Sequence, residues 1–432
     1  MMDMPGRHRG ETPPPGPFRQ EFWRSPLRGP WLASVLGSAL LPLIVICAIT
    51  GFLSHAAYYP WLDGNSVTGT GGIDLGFDLY FFDWPTSPPW LYALNQGLHV
   101  TTGVMAVPLL LAKLWSAMPK LFEWPPVRSL AHALERLSLG FLVGGSLFVF
   151  FTGVMNIQLY YVWGFSFVPA HYYAAFIFLA ALGLHLVLKL SVVRRAFREQ
   201  GVVRPLRQDL VHTQPEPARE GTTAPASPAP PTLSRRGLLA TVGAGSVGLG
   251  LMTAAQQIGG PLRPLGLLAP HGRSLGSGPN EFQVNKTAAA VGVSRAQVGR
   301  DWRLRVHGAR TLEFSREELL AMDQHTYSLP IACVEGWSTT QSWTGVRLRD
   351  LIACAGSPEA MPVLVESLQA GGAFSKAALA TEQVADSRSL LALRVNGADL
   401  SLDHGYPARV IVPAAPGVHC TKWVSSINTI GA

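Results

Sequence analysis

Four runs of mostly apolar residues, crowded into the first half of the chain, limit its fold more than any other feature. They span roughly Trp31–Ser54, Trp90–Trp115, Leu137–Ile157 and Ala170–Val193. About 20 apolar residues in a helix cross the hydrocarbon core of a bilayer, and inside lipid the backbone must satisfy its own hydrogen bonds. Each run therefore reads as a membrane-spanning helix. The connections set their orientation. Between His55 and Trp90 there is no Lys or Arg, while Asp63, Asp74, Asp78 and Asp83 all fall there; Gln158 to Pro169 is equally free of basic residues. Arg19, Arg24, Arg28, Lys113, Lys120, Arg128, Arg136, Lys189, Arg194, Arg195 and Arg198 fall on the opposite side. The positive-inside rule then places the N-terminus and the end of the fourth span in the cytoplasm. Trp31, Trp61, Trp84, Trp90, Trp115 and Trp163 stand near span ends, where interfacial anchors belong.

Composition agrees with a multi-pass protein of the cell membrane. Only 14% of the 432 residues are charged, and the mean hydropathy is +0.22. The formal net charge is +7. Its basic residues flank apolar runs instead of forming a stripe with interleaved aromatics, which points to membrane lipid and away from nucleic acid. The four cysteines, Cys47, Cys333, Cys354 and Cys420, are too scattered for a disulfide framework, and a Cys354–Cys420 pairing is left open.

Around the spans the chain divides by composition. Residues 1–30, rich in Pro, Gly and Arg, read as a disordered cytoplasmic tail ahead of a membrane domain over 31–198. Residues 199–233 read as a Pro/Ala-rich linker. Residues 234–259 open on Ser234-Arg235-Arg236-Gly237-Leu238-Leu239 and continue as a Gly/Ala-rich apolar run. This resembles a twin-arginine export signal, which implies the twin-arginine machinery as a partner; two arginines flanking an ordinary fifth span is the plainer reading. Either way the chain beyond it is extracytoplasmic. Gly243, Gly245 and Gly248 match a dinucleotide-binding pattern, but no strand precedes them, so close helix packing explains them better.

Residues 260–432 read as an α+β domain. Strands are expected at Trp302–His307, Val363–Ser367, Leu390–Val395 and Arg409–Val412, helices at Arg316–Met322 and Arg347–Ala355, and a two-residue hairpin turn at Asn396-Gly397.

Ionisable or ligating side chains inside spans are costly, so each histidine there is a functional candidate. His171 and His185 are 14 residues apart, close to four helical turns, so they share one face roughly 21 Å apart along the axis. His99 and His55 offer partners from other helices. Such a set suits one or two haem b groups, and depth pairs His99 with His185 and His55 with His171. The spacing resembles that of the cytochrome b subunits of membrane formate dehydrogenases and hydrogenases, and of the cytochrome b561 group. His55, however, lies at the opposite end of the first span from the histidine of those subunits.

In the last domain, Cys333 ends a short apolar run inside Pro330-Ile331-Ala332-Cys333-Val334-Glu335-Gly336-Trp337-Ser338. A thiolate at a strand-to-loop junction beside small and aromatic residues suits a metal ligand, although a lone cysteine is more often an inert core residue. Three further blocks follow the same order as in a known family: Asn280-Glu281-Phe282-Gln283-Val284, Asp403-His404-Gly405-Tyr406-Pro407-Ala408-Arg409, and Lys422-Trp423-Val424. Together they resemble the sulfite-oxidase-like molybdopterin oxidoreductases, and within these the catalytic subunits of periplasmic protein-methionine-sulfoxide reductases. The resemblance implies that Cys333 ligates molybdenum. It also implies that Asn280, Gln283, Val284, Ser367, His404, Arg409, Cys420, Thr421 and Lys422 contact Mo-molybdopterin. The pterin phosphate calls for cations such as Arg409 and Lys422.

The fold expected is therefore a membrane four-helix bundle and a fifth transmembrane helix, then an α+β sulfite-oxidase-like molybdopterin domain. The function expected is quinol oxidation linked through haem b to oxo transfer, reducing a small S-oxide or N-oxide or an oxidised protein methionine. Sulfite-type oxidation passing electrons to quinone is the alternative within enzymes. A haem-free anchored binding module is the alternative outside them.

Overall fold

The computed structural model describes residues 12–65, 81–160, 162–218, 222–272, 275–358, 360–372 and 375–431; Asp74 and Asp78 of the acidic connection lie outside these. Among the described residues, five helices are long and apolar enough to cross a membrane: α1 (Pro30–Ala56), α2 (Leu91–Leu121), α3 (Leu130–Ile157), α4 (Phe167–Gln200) and α5 (Arg235–Ile258). Large apolar side chains such as Leu111, Val187 and Leu251 point outward from them. That exposure is costly in water and harmless in hydrocarbon.

The chain forms two compact units. The first reaches Ile44 and takes in Met105–Phe151 and Tyr172–Gly248; the second takes in Val45–Val104, Thr152–His171 and Leu249–Ala432.

In the first unit, Leu27, Trp31, Leu32 and Leu36 pack with Leu238, Leu239 and Val242 of α5, and Leu40, Ile44, Ala106, Leu110 and Phe178 form a second cluster. The described parts of the N-terminal stretch and the linker, residues 12–30 and most of 199–233, pack against the helices, unlike the unstructured segments expected there. Trp23, Leu27 and Arg28 are buried, and the Arg28 guanidinium lies 4.3 Å from the Trp115 ring centroid. Glu216, from the linker, is buried at the start of α1. Its carboxylate accepts the Trp31 N–H at 3.0 and 3.1 Å and the Gln200 amide at 2.8 Å. One acidic side chain thus satisfies an orphan helix-terminal donor and ties down a segment that composition alone marks as unstructured. Arg235 is buried as well and donates to Gln208 at 3.2 Å. The glycine pattern of α5 is helical throughout. Ser246 there donates to the Met105 carbonyl at 2.5 Å, and Gly245 faces Pro108, as close helix packing requires.

The second unit holds the α+β domain. In chain order its elements are β1 (Leu304–His307), β2 (Thr311–Phe314), α6 (Arg316–Ala321), β3 (His325–Ala332), β4 (Ser338–Arg347), α7 (Leu348–Cys354) and β5 (Val363–Ser367). Then follow β6 (Lys376–Leu379), α8 (Thr381–Ala385), β7 (Leu390–Val395), β8 (Ala398–Asp399), β9 (Arg409–Ile411) and β10 (Val424–Thr429). One sheet runs β2-β1-β10-β5-β6, with β1 and β10 parallel; the other runs β3-β4-β7-β8, with β9 paired to β7. Leu304, Val306, Val346, Leu351, Val365, Leu391, Val410 and Ile427 belong to their shared core. Ser315 and Glu318 make a reciprocal capping box that starts α6. Asn396 and Gly397, at φ 51° and 81°, make the β7–β8 turn expected of that pair.

The segment after α1 also enters this unit. The Asn65 side chain donates to the Ala378 carbonyl at 2.6 Å and accepts its N–H at 2.8 Å, pairing with edge strand β6 as a strand would. Trp84 donates to the Ala414 carbonyl at 2.8 Å. All four cysteines are free thiols, so Cys354 and Cys420 do not pair.

Candidate active site

Cys333 begins the five-residue connection between β3 and β4, which pair up to Ala332 opposite Ser338. The connection folds back on itself: Cys333 N–H donates to Trp337 O at 2.9 Å, and Gly336 N–H donates to Cys333 O at 3.0 Å. Gly336 sits at φ +93°, where an L side chain would be strained. Inside the turn, the buried Glu335 carboxylate accepts from Trp337 Nε1 at 2.8 Å and from His271 Nε2 at 2.6 Å. The thiol is therefore held by a rigid turn. Burial, and then the Glu335 carboxylate, push its pKa up, so the sulfur keeps its proton unless a metal displaces it.

The thiol opens onto a narrow cleft. Gln283, Val284, Cys333, His404, Arg409 and Lys422, six of the residues singled out in the sequence, line it together. His404 belongs to a single helical turn capped by Ser401, followed by Gly405 at φ 108°. A Cβ on Gly405 would stand 3.0 Å from Lys422 Cβ, so the absent side chain lets that lysine approach. His404 stacks on Phe282 with ring centroids 3.7 Å apart, and its Nε2 lies 2.8 Å from the Asn280 carbonyl. Burial, and then Arg409, hold its pKa down to about 3, so His404 is neutral. Burial, and then Arg409, likewise lower Lys422 to about 7.

The other sequence-derived residues act differently. Asn280 spends its side chain on Asp399 O at 3.0 Å and Ser401 N–H at 2.7 Å, shaping the cleft from behind. Ser367 donates to the Lys422 carbonyl at 2.7 Å, so it positions that lysine from β5. Cys420 is buried in the apolar cluster of Phe282, Ile331 and Trp343. Thr421 is buried, and its hydroxyl has no hydrogen-bond partner among the described residues. Phe282, Asn285, Trp337, Thr339 and Gly417 also line the cleft and were not anticipated. Phe282 and Trp337 sit within quoted motifs, but nothing in the sequence marks which of their side chains turn inward.

Residues 290–431 match the family described as the oxidoreductase molybdopterin binding domain. The chain is 34% identical to the sulfite oxidase of Gallus gallus over 158 residues, which is 29% of this chain and 34% of that protein. It is 30% identical to the uncharacterized oxidoreductase YuiH of Bacillus subtilis (strain 168) over 130 residues, 29% of this chain and 64% of that protein. The crystal structure of the sulfane dehydrogenase SoxCD from Paracoccus pantotrophus aligns at 27% identity over 31% of this chain and 39% of that one, with a TM-score of 0.28. The C-terminal part is a sulfite-oxidase-like molybdopterin-binding domain, an oxidoreductase domain. The matched stretch spans about a third of the length of the chicken sulfite oxidase.

The residues of the molybdopterin domain fit the group its family name implies. Arg409 is buried, its Nε has no hydrogen-bond partner, and its guanidinium makes a single bond, NH1 to His404 O at 3.4 Å. Lys422 Nζ donates only to carbonyls, Lys286 O at 2.5 Å and Asp403 O at 2.9 Å. No described carboxylate forms an ion pair with either. Two buried basic groups without an ion-pair partner among the described residues, beside a buried thiol and an unpartnered Thr421 hydroxyl, are expensive unless something anionic enters. A phosphate-bearing pterin carrying molybdenum is such a group.

The histidines in the helices sort differently from their expected pairing. His99 of α2 and His171 of α4 meet edge-on, with ring centroids 6.2 Å apart and ring planes at 83°. His99 Nδ1 lies 2.8 Å from the Cys47 carbonyl, and His171 Nδ1 lies 3.1 Å from Thr152 Oγ1. Gly51 and Gly153 back the two rings; a Cβ would stand 2.9 Å from His99 Cε1 and 3.3 Å from His171 Cε1. His99 thus pairs with His171, not with His185. His55 is buried near the end of α1, and His185 lies on α4 beside Lys113 and Lys189. Among the described residues no cluster of three or more His, Cys, Asp or Glu gathers to hold a metal.

Proposed function

We propose that the chain is an integral-membrane oxidoreductase in which quinol is oxidised among the first four helices and oxo transfer occurs at an extracytoplasmic Mo-molybdopterin centre. Haem b links the two, and α5 serves as both tether and twin-arginine-type export signal. The observation that carries the linkage is the His99–His171 pair. His99 and His171 would be the residues that hold the iron, which would supply one-electron chemistry, and their rings lie 6.2 Å apart, close enough to share one metal. With both Nδ1 atoms engaged, Nε2 is the nitrogen each ring would present to iron, and fixing a ring through its other nitrogen is how ligating histidines are oriented. His55 and His185 remain ligand candidates for a second haem.

At the other centre, bound molybdenum supplies two-electron oxo chemistry. Cys333 would provide the thiolate ligand, and Glu335 and Gly336 hold the turn that aims it. Arg409, Lys422 and backbone donors would hold the phosphate, while Gln283, Val284 and neutral His404 would hold the pterin. Reduction of a small S-oxide or N-oxide, or of oxidised protein methionine, is favoured by the groups behind Cys333. Tyr58 is partly exposed there, and the buried His419 ring packs edge-on against it with centroids 6.0 Å apart. Burial lowers His419 to about 4, so these groups are uncharged and suit a neutral oxide. Similarity to the sulfite oxidases favours the second reading, oxidation of sulfite with electrons passed to quinone.

The test uses purified full-length protein and visible spectra. A b-type band on reduction, bleached by dimethyl sulfoxide or trimethylamine N-oxide, is the expected result. Reduction of that band by sulfite, with no response to the oxides, reverses the direction. Absence of both the band and molybdenum leaves a haem-free anchored binding module.

A further inference from the structure

The turn that carries Cys333 is gripped from outside its own domain. Gln96 of α2 is buried and donates through Nε2 to the Val334 carbonyl at 2.7 Å. Its Oε1 accepts from Ser54 Oγ at 2.7 Å, so the amide is held in one orientation. One turn further along α2, Val100 packs where Gly336 has no side chain; a Cβ there would lie 2.9 Å from it. On the far side of the turn, Ser338 Oγ donates to the Gln257 carbonyl at 3.0 Å.

Gln96, His99 and Val100 stand at i, i+3 and i+4 on one helix and so share a face. A buried amide is costly to place in an apolar helix unless it is satisfied, and Gln96 is satisfied by the residue next to Cys333. We propose that Gln96 is a positioning residue for electron transfer, joining the His99 site to the Cys333 turn through a single hydrogen bond. The path runs from His99 along one turn of α2, through the Gln96 side chain to Val334, and on to Cys333.

This rests on the haem reading above. Quinol is the reductant: it gives up two electrons and two protons and becomes quinone. A haem bound at His99 would supply one-electron relay chemistry; overall, the two electrons and two protons that quinol gives up balance the release of the substrate oxygen as water.

The experiment compares full-length wild type with Gln96→Met, which keeps length and packing but loses the donor, and with Ser338→Ala, which frees the other side of the turn. The haem is reduced and mixed with trimethylamine N-oxide, and its reoxidation is followed by stopped-flow absorbance. Hydrogen exchange of the amides at 333–337 is measured in parallel. Gln96→Met is expected to keep the b-type spectrum and molybdenum content but to reoxidise about tenfold more slowly. Both variants are expected to exchange about tenfold faster in the turn, as loss of one buried hydrogen bond predicts. Ser338→Ala is expected to reoxidise at the wild-type rate. Equal slowing in both variants, or a wild-type rate in Gln96→Met, overturns the inference and leaves the haem intact. A wild-type protein without a b-type band removes the haem reading itself, and shows it before any mixing.

Discussion

The cleft beside Cys333 and the histidine pair between α2 and α4 both bury polar groups, and they leave them in opposite states. In the cleft the cations are under-satisfied: Arg409 keeps an unpartnered Nε, and Lys422 finds only carbonyls. Between the helices each ring already has one nitrogen engaged, by Cys47 O and by Thr152 Oγ1. An excess of buried charge asks for an anion. Rings fixed through one nitrogen, with glycines behind them, are oriented as ligating histidines are, which suits the haem proposed above.

The widest separation of the two sites comes from removing one ligand at each. Cys333→Ala is expected to lose bound molybdenum and turnover while keeping the b-type band. His99→Ala or His171→Ala is expected to lose the band and keep molybdenum. Metal analysis and a spectrum on each variant check this, and loss of both groups in any one variant would merge the sites. Arg409→Gln tests the unmatched charge. Hydrogen bonds to charged groups are worth about 1.5–3 kcal/mol, so cofactor retention should fall about 10- to 100-fold. Thr152→Val tests the matched ring and should weaken haem retention by about tenfold, the lower end for groups that orient a metal ligand.

Lys422 gives the smallest effect and the one tied to pH. Its folded pKa of about 7 lies below the unfolded value of about 10.4, so between these the unfolded chain binds more protons. Stability of the cofactor-free protein should therefore rise as pH goes from about 7 to about 10, with no such gain in Lys422→Met. Thermal melts across that range measure it. An anionic cofactor favours the ammonium form, so loading should take up a proton and weaken as pH rises through the same window.

The parts of this molecule written as runs were legible in its sequence. Helix length, the Asn396-Gly397 turn and the strands Val363–Ser367 and Leu390–Val395 follow from local pattern and reappear with little change. β4 did not, because Ser338-Thr339-Thr340-Gln341-Ser342 reads as a polar turn until the strands on either side are known. His404, Arg409 and Lys422 were found through their motif blocks. Asn280, Ser367 and Cys420 came from the same reasoning, yet their side chains serve neighbours and core instead of facing the cleft. The histidine pairing failed for a geometric reason. Depth was counted from span ends, but α4 begins at Phe167 and α2 at Leu91, which brings His171 and His99 near the same end of their helices. Which side a helix turns to its neighbour is fixed by packing that no single helix records.

Asn65 carries one more consequence. Its amide occupies the backbone donor and acceptor of Ala378 on β6, the last strand of its sheet. Outer strands with open backbone groups recruit other chains, and proteins that keep them open are prone to sticking edge to edge. The asparagine that closes this one comes from just after the first membrane helix, nearly 200 residues before the domain it protects begins at 260. A fragment starting at the domain boundary would be missing its own guard against self-association, however well it folded.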